Sequence, residues 1–249
     1  MYNFFARQIK DANWRFMNFG YAYSPGSSCS IDLKPEDEMD RYSWQLYEHM
    51  LRQHAPGTDH IVLEVGSGRG GACYLTNKYY QPSKVIGIDL SDQAVAFCNE
   101  NYQSDSLKYI TAPADKLPMA DQSCDIVMNA ESSHAYPDFD KFVTEVKRVL
   151  KPGGYFMTTD NRKSGLLSDW KESITKSGLI IESEVDITQN VLESLNAQEP
   201  YKENLISTRV PKWFEKHFRE FAGMVGSTMY EDFKNRRRVY KSFILQKPT

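Results

Sequence analysis

IVLEVGSGRGG, residues 61–71, followed by VIGIDLS at 85–91, decides the fold. Ile61, Val62, Leu63 and Val65 form a short apolar run suited to a strand buried on both faces, and the glycines at 66, 68, 70 and 71 end it abruptly. A helix is expected from about Ala72. Glycines at such a turn permit positive φ and let a ligand lie close to the backbone, while the start of the helix offers unpaired N–H groups. Residues 85–88 form a second strand that ends at Asp89, 23 residues beyond Gly66. A carboxylate at that strand tip can accept from both hydroxyls of a ribose, which favours an adenosine-type ligand.

Gly66, Gly68 and Gly71 satisfy a dinucleotide fingerprint as well as that of a methyl-donor site, so the glycines alone do not choose. Glu64 does. The matching position in a dinucleotide fold lies beside a pyrophosphate, which would repel a carboxylate. S-adenosylmethionine has no phosphate and carries a sulfonium and an ammonium, which a carboxylate attracts. Residues 107–111 read as a third strand, and Ala114 and Asp115 in the loop beyond it would border the adenine next to Leu90. Residues 124–128 make a fourth strand, and NAESSHAYPD at 129–138 is the loop after it, facing the ligand crevice, with the backbone of Asn129 toward the methionine ammonium. Apolar residues at 139, 142, 143, 146, 149 and 150 have helical spacing. KPGG at 151–154 stops that helix, and residues 155–159 supply a fifth strand ending at Asp160. Alternation of this kind predicts right-handed crossovers and a parallel sheet.

Taken in order, VLEVGSGRGG, GIDLS, APADKLP, CDIVMNAESSHAYPD and LKPGGYF resemble the class I S-adenosylmethionine-dependent methyltransferases over about residues 60–160. The resemblance implies an α/β, Rossmann-like sheet of seven strands, mostly parallel with an antiparallel last strand. It also implies S-adenosylmethionine as cofactor, with S-adenosylhomocysteine as its product. More narrowly, ESSHAYPDF, the aromatic run FMNFGYAY at 16–23 and the C-terminal extension look like phthiotriol and phenolphthiotriol dimycocerosate O-methyltransferases. Glu131, His134, Pro137-Asp138 and Asp160 also resemble the loop of bacterial sugar O-methyltransferases. Cys124 departs from the family, which has an aromatic there; a small buried thiol alters packing rather than chemistry.

The outer parts are less motif-like. Eight aromatics, Tyr2, Phe4, Phe5, Trp14, Phe16, Phe19, Tyr21 and Tyr23, fall in the first 23 residues and suggest a helical lid within 1–55, or plain core packing. Residues 24–40 read as loop. The core then spans 56–186, with a helix near 166–177 and a strand at 179–185; the last strand, at 239–246 within 236–249, pairs with that one. The insertion 187–235 carries Val191, Leu192, Leu195, Trp213, Phe214, His217, Phe218 and Phe221 at helical spacing: a cap over the acceptor, a helix packed on the core, or an interfacial membrane helix. A length of 249 residues with 41 % hydrophobic content supports one α/β domain with added caps.

The net charge of −3 gives no general nucleic-acid face, and Arg236-Arg237-Arg238 reads as a solvated start to the last strand. Cys29, Cys73, Cys98 and Cys124 lack metal-ligand or disulfide-framework spacing, so no metal is expected and a cytoplasmic setting fits. The charge-broken N-terminus has neither a secretory core nor a membrane span, leaving peripheral membrane contact open, as is the choice between monomer and homodimer.

Methyl transfer from a sulfonium is an in-line displacement, so the protein must position the acceptor, exclude water and manage one proton. His134 lies where the methyl group should be delivered and titrates near neutrality, which suits a general base. Asp160 would hold its tautomer, and Glu131 is a second carboxylate within reach. The expectation is O-methylation of a hydroxyl on a partly apolar small molecule, a lipid, polyketide or glycosylated natural product. C-methylation of an alkene or quinone-type acceptor and a non-catalytic cofactor-binding scaffold are the alternatives, and a nicotinamide oxidoreductase is a further one.

Overall fold

The structure, a computed structural model, describes residues 14–24, 26–27 and 31–249. Tyr2, Phe4, Phe5 and Cys29 lie outside the described residues, and so do the expectations placed on them.

After helix α1 (Arg41–Leu51), the strands β1 (Ile61–Val65), β2 (Lys84–Asp89), β3 (Leu107–Thr111), β4 (Cys124–Ala130) and β5 (Leu150–Lys163) lie parallel. Helix α2 (Gly71–Tyr80) links the first pair, α3 (Asp92–Asn101) the second, and α4 (Phe139–Val149) carries β4 to β5. Then follow α5 (Leu167–Lys176), β6 (Ile180–Asp186), α6 (Thr188–Arg209), α7 (Glu215–Phe221), α8 (Thr228–Lys234) and β7 (Arg238–Gln246). The seven strands are ordered β3-β2-β1-β4-β5-β7-β6, and β7 runs antiparallel to both its neighbours. Chain direction across the sheet reverses between β1 and β4, which opens a crevice at their C-terminal ends, where α/β proteins bind ligands.

Each face of the sheet is buried by its own layer. Leu63, Val65, Val127, Phe142, Val146 and Phe156 lie on one side, and Trp44, Met50, Leu75, Val85, Ile126 and Met128 on the other. This double cover explains why β1 is apolar without alternation. The helix starts are capped locally: Ser91 accepts from Ala94 N–H, Asp138 from Lys141 N–H and Ser227 from Tyr230 N–H.

Three sequence expectations shift. β4 runs on to Ala130, so Asn129 belongs to the strand rather than to the loop. β5 starts at Leu150 and continues past Asp160 to Lys163, because β7 supplies a partner after β4 has ended; Thr159 is the last residue paired to β4, and Asp160 pairs with Lys241. A register shift between Cys124 and Ile126 absorbs the Pro-Gly-Gly that was expected to precede the strand. Among the described residues, the expected N-terminal helical lid is helical from a short 3₁₀ turn at Pro35–Asp40 onward, and Trp14 to Ser24 forms a non-helical strap. Main-chain bonds from Tyr21 to Tyr42 and from Ala22 to Asn190 take the place of helix bonds in that strap.

Candidate active site

The glycine turn is fastened to the neighbouring strand tip. Gly66 N–H and Ser67 N–H both donate to Ile88 O, at 2.7 and 3.0 Å. Gly68 N–H donates to Asp89 Oδ2 at 2.8 Å and Ser91 N–H to Oδ1 at 2.9 Å, so the acidic tip of β2 also holds the turn in shape. Burial raises the Asp89 pKa, while the N–H groups of Ser91, Gly68 and Leu90 oppose the rise. Gly66 has φ +79°, and a Cβ on it would fall 2.3 Å from Ser132 Oγ and 2.9 Å from Tyr136 OH. The need for glycine here comes from the loop after β4 as well as from any ligand.

Glu64 is buried at 1 % exposure. Cys73 Sγ donates to its Oε2 at 2.9 Å, and Oε1 has no hydrogen-bond partner. Burial pushes its pKa up to about 7 against the pull of the Cys73 thiol and the Tyr47 hydroxyl. A buried carboxylate oxygen left idle beside a bare turn is what the cationic methionine end of the cofactor would satisfy. Leu90 is 74 % exposed at the tip of β2, an apolar surface suited to a flat base. Ala114 is half-buried and Asp115 exposed in the loop beyond β3. Asn129 is fully buried, and its side-chain Nδ2 lies within hydrogen-bond distance of Val65 O, Ser132 Oγ and Tyr136 OH, at 2.8, 2.8 and 3.0 Å, its two hydrogens shared among them. That amide ties the β4 loop to β1.

His134 and Asp160 meet as the sequence predicted. His134 Nδ1 lies 2.9 Å from Asp160 Oδ1, and the carboxylate also takes Ser133 Oγ at 2.7 Å, His134 N–H at 2.9 Å and Asn161 N–H at 2.8 Å. Burial pushes the Asp160 pKa up, but His134, Arg162 and Ser133 together bring it to about 2. An ionised carboxylate only accepts, so Nδ1 carries the hydrogen and a neutral ring presents Nε2 as the acceptor. The hydrogen bond to Asp160 raises the His134 pKa against its own desolvation. The imidazole is 44 % exposed while its partner is sealed, so one edge stays open to an acceptor.

Glu131 is placed differently from the expectation of a second carboxylate serving the base. Its Oε1 accepts Phe19 N–H at 2.8 Å and Tyr240 OH at 2.6 Å, which pins the strap to β7 across the loop. Burial pushes its pKa up to about 7, opposed by Tyr240 and Phe19. The other side of Phe19 is held by α6, where Ser194 Oγ and Gln198 Nε2 donate to its carbonyl at 3.0 and 3.1 Å. Further back, Arg15 pairs with Asp37 at 2.7 Å and Asp40 at 2.6 Å, and its carbonyl accepts from Gly71 N–H at 3.2 Å. The strap therefore crosses the glycine turn. Sequence reasoning missed Ser132, Ser133, Tyr136, Arg162 and Tyr240 because no motif spacing marks them; the Ser-Ser before His134 was the one visible hint.

Of the expected bystander histidines, His49 stacks on Tyr21 at 4.5 Å and His54 on Tyr155 at 3.7 Å, both away from the crevice residues. Arg236 pairs with Asp186 and Arg237 with Asp232 at 2.7 Å, while Arg238 donates to the neutral amide of Asn161 at 2.6 Å, so two of the three charges are paired within the chain. Among the described residues no cluster of His, Cys, Asp and Glu could hold a metal ion, and no helix is long and apolar enough to cross a membrane.

A family model described as a methyltransferase domain matches residues 63–158, the span from β1 to β5. The fatty-acid O-methyltransferase of Mycolicibacterium smegmatis is 31 % identical, over 100 % of this chain and 89 % of that protein. The phthiotriol/phenolphthiotriol dimycocerosates methyltransferase of Mycobacterium tuberculosis is 30 % identical, over 93 % of this chain and 85 % of that one. The crystal structure of geranyl diphosphate C-methyltransferase from Streptomyces coelicolor superposes with a TM-score of 0.71 at 18 % identity, covering 98 % of this chain and 96 % of that one, which shows a shared fold. With a glycine turn, a buried acid facing it and relatives that match along the whole chain, this protein belongs to the S-adenosylmethionine-dependent methyltransferases.

Proposed function

We propose that the enzyme methylates an oxygen of a partly apolar, lipid-type or natural-product acceptor, with His134 as general base. The observation that carries this reading is the sealed Asp160 holding Nδ1 of an imidazole whose other edge is open, at the sheet tip beside the glycine turn. S-adenosylmethionine supplies an already activated methyl group. Glu64 would meet its cationic methionine end, the backbone at Gly66 and Gly68 would allow close approach, and the Asn129 backbone would face the ammonium. Asp89 would take the ribose hydroxyls, while Leu90, Ala114 and Asp115 would border the adenine. His134 receives the acceptor proton at Nε2, and Asp160 stabilises the imidazolium that forms. The strap and α6, held together through Phe19, exclude water from the crevice. Among the relatives, one is named for fatty acids and O-methylation, which favours oxygen over carbon as the methylated atom.

A second reading follows from the raised His134 pKa, since a carboxylate acceptor is already ionised and needs a cation rather than a base. The pH profile of kcat/KM separates the two: it rises with pH through the His134 pKa if His134 is the base, and falls if the imidazolium orients a carboxylate. The three described cysteines are free and buried, which suits a reducing cytoplasm. The experiment is His134→Ala, assayed for methyl transfer on a panel of long-chain alcohols, fatty acids and glycosylated polyketides. Turnover should fall roughly 100-fold or more while S-adenosylhomocysteine affinity by calorimetry stays within about twofold. Retained turnover removes His134 from the chemistry, and a product methylated at carbon by mass spectrometry removes oxygen as the acceptor.

A further inference from the structure

Asp160 does not serve His134 alone. Arg162, two residues along β5, places NH1 3.0 Å from Asp160 Oδ2, the oxygen that also accepts the His134 main-chain N–H. Its NH2 donates at 2.9 Å to Ser133 Oγ, which in turn donates to that same Oδ2 at 2.7 Å. The guanidinium is 12 % exposed and lies over the Trp170 ring at 4.4 Å, with a further bond from NH1 to Asn161 O at 2.9 Å. This cation is fixed, not a solvated side chain that passes by. A cation sharing the carboxylate with an imidazole competes with the imidazolium for the same negative charge, and it also repels the proton on the ring.

We infer that Arg162 is a positioning residue that sets the proton affinity of His134 by occupying the opposite oxygen of Asp160. The inference rests on His134 being the reacting imidazole only for its effect on rate; the effect on the ring itself is independent of that reading. The sign follows from the geometry. Losing Arg162 leaves Asp160 with His134, Ser133 and Asn161 as donors, enough to keep it ionised, so the full charge of the carboxylate falls to the imidazole and its pKa rises. The other charged groups bearing on His134 are Asp160 on its own strand and Glu131 on its loop; Glu131 is in turn faced by Tyr240 on β7 and, electrostatically, by Lys202 on α6. Glu131 acts in the same direction in every variant, so it does not imitate the change. The consequence for catalysis is a base that would otherwise be protonated over more of the neutral range, held ready by a neighbouring arginine.

The test is the imidazole pKa of His134 in the full-length, folded enzyme carrying histidine labelled for NMR, with His134→Asn identifying the resonance among the five histidines. Arg162→Met removes the charge and keeps an apolar stem on Trp170; Arg162→Gln, neutral but still a donor for Ser133, replaces it if the methionine variant does not fold; Arg162→Lys keeps the charge. A rise of roughly one pH unit in the neutral variant, with most of it reversed by lysine, is the expected result, and the limb of the kcat/KM profile set by His134 should move by the same amount. A His134 pKa unchanged in a neutral variant that melts and binds S-adenosylhomocysteine like the parent overturns the inference. So does an equal rise in the lysine variant, which would trace the effect to packing rather than charge. If the ring pKa moves while His134→Ala remains active, the general-base reading fails and the assignment of Arg162 stands.

Discussion

Gly66 at the tip of β1 and Gly226 between α7 and α8 have nearly the same positive φ, +79° and +82°. Around Gly66 the space for a side chain is filled by Ser132 and Tyr136, whereas a Cβ on Gly226 meets nothing within 4 Å. A similar φ is locked from outside at the sheet tip and left open in the cap, the insertion 187–235. At the tip, a turn, the loop after β4, a strand partner and a buried acid all constrain one another, as shown by Asn129 binding Val65 O and Gly68 binding Asp89. In the cap, Phe218, Ile206 and Met224 form a small cluster of their own, and Trp213 stands 72 % exposed.

Alanine at each glycine tests that contrast most strongly. The left-handed backbone costs any non-glycine residue about 1–2 kcal/mol, and overfilling a packed site adds about 1–3 kcal/mol. Gly66→Ala should therefore lose roughly 2–5 kcal/mol in urea unfolding and weaken S-adenosylhomocysteine binding, whereas Gly226→Ala should lose about 1–2 kcal/mol and leave binding unchanged. Equal losses at the two sites would mean that Ser132 and Tyr136 move aside freely, and the contrast between tip and cap would not hold.

The same contrast explains what was legible in the sequence. The places of Glu64, Gly66 and Asp89 could be read because they depend on a backbone turn and strand ends a few residues away, and local spacing records those. Pairing His134 with Asp160 was readable because both lie just beyond the last β4–β5 pair, Ala130 with Thr159, a neighbourhood that the alternation of strands and helices already implies. Glu131 was assigned to the base because it lies three residues from His134, but its bonds to Phe19 and Tyr240 cross 112 and 109 positions of chain. Cys73 was read only as a cysteine without metal-ligand or disulfide spacing, and its thiol on Glu64 carries no spacing signal. The strap was expected to be helical because its aromatics are dense, but density does not specify a period, and Gly20 at φ +77° with Ser194 pressed against it fixes an irregular path instead.

Arg15 sharpens the comparison at a smaller scale, since it anchors the strap to the residues before α1. It is 8 % exposed and faces the fully buried Asp37 and the nearly buried Asp40. Asp37 keeps Lys78 at 2.6 Å and Tyr79 at 2.7 Å when Arg15 is lost, which limits the damage. Arg15→Met should cost about 1–3 kcal/mol, the usual loss when a charged hydrogen-bond partner is removed from a buried group. The loss should appear as faster proteolytic cleavage within 14–24, with hydrogen exchange in β1 and β4 unchanged. Equal acceleration in those strands would show that the strap and the sheet open as one unit.

The smallest effect is a slope. Glu131 has its pKa raised to about 7 from 4.5, chiefly by burial, so the folded state holds its proton more tightly than the unfolded chain does. The stability this provides is fully present below about pH 4.5 and is lost as the pH rises through about 7. Glu64, also raised to about 7, and Asp40, raised to about 6, act with the same sign in the same window; His49, lowered to about 4 by burial, opposes them in part of it, and Asp160, lowered to about 2, acts oppositely only under more acid conditions. The parent should therefore lose stability between about pH 5 and pH 7.5, and Glu131→Gln, which keeps an acceptor for Phe19 N–H and Tyr240 OH, should lose less over the same interval. Urea midpoints at the two pH values measure the difference directly. An interval that is the same in both proteins would mean that Glu131 is already ionised in the folded state at pH 5, with Phe19 and Tyr240 stabilising its charge more than burial opposes it, so that the clamp on the strap belongs to the tightly constrained tip rather than to the cap.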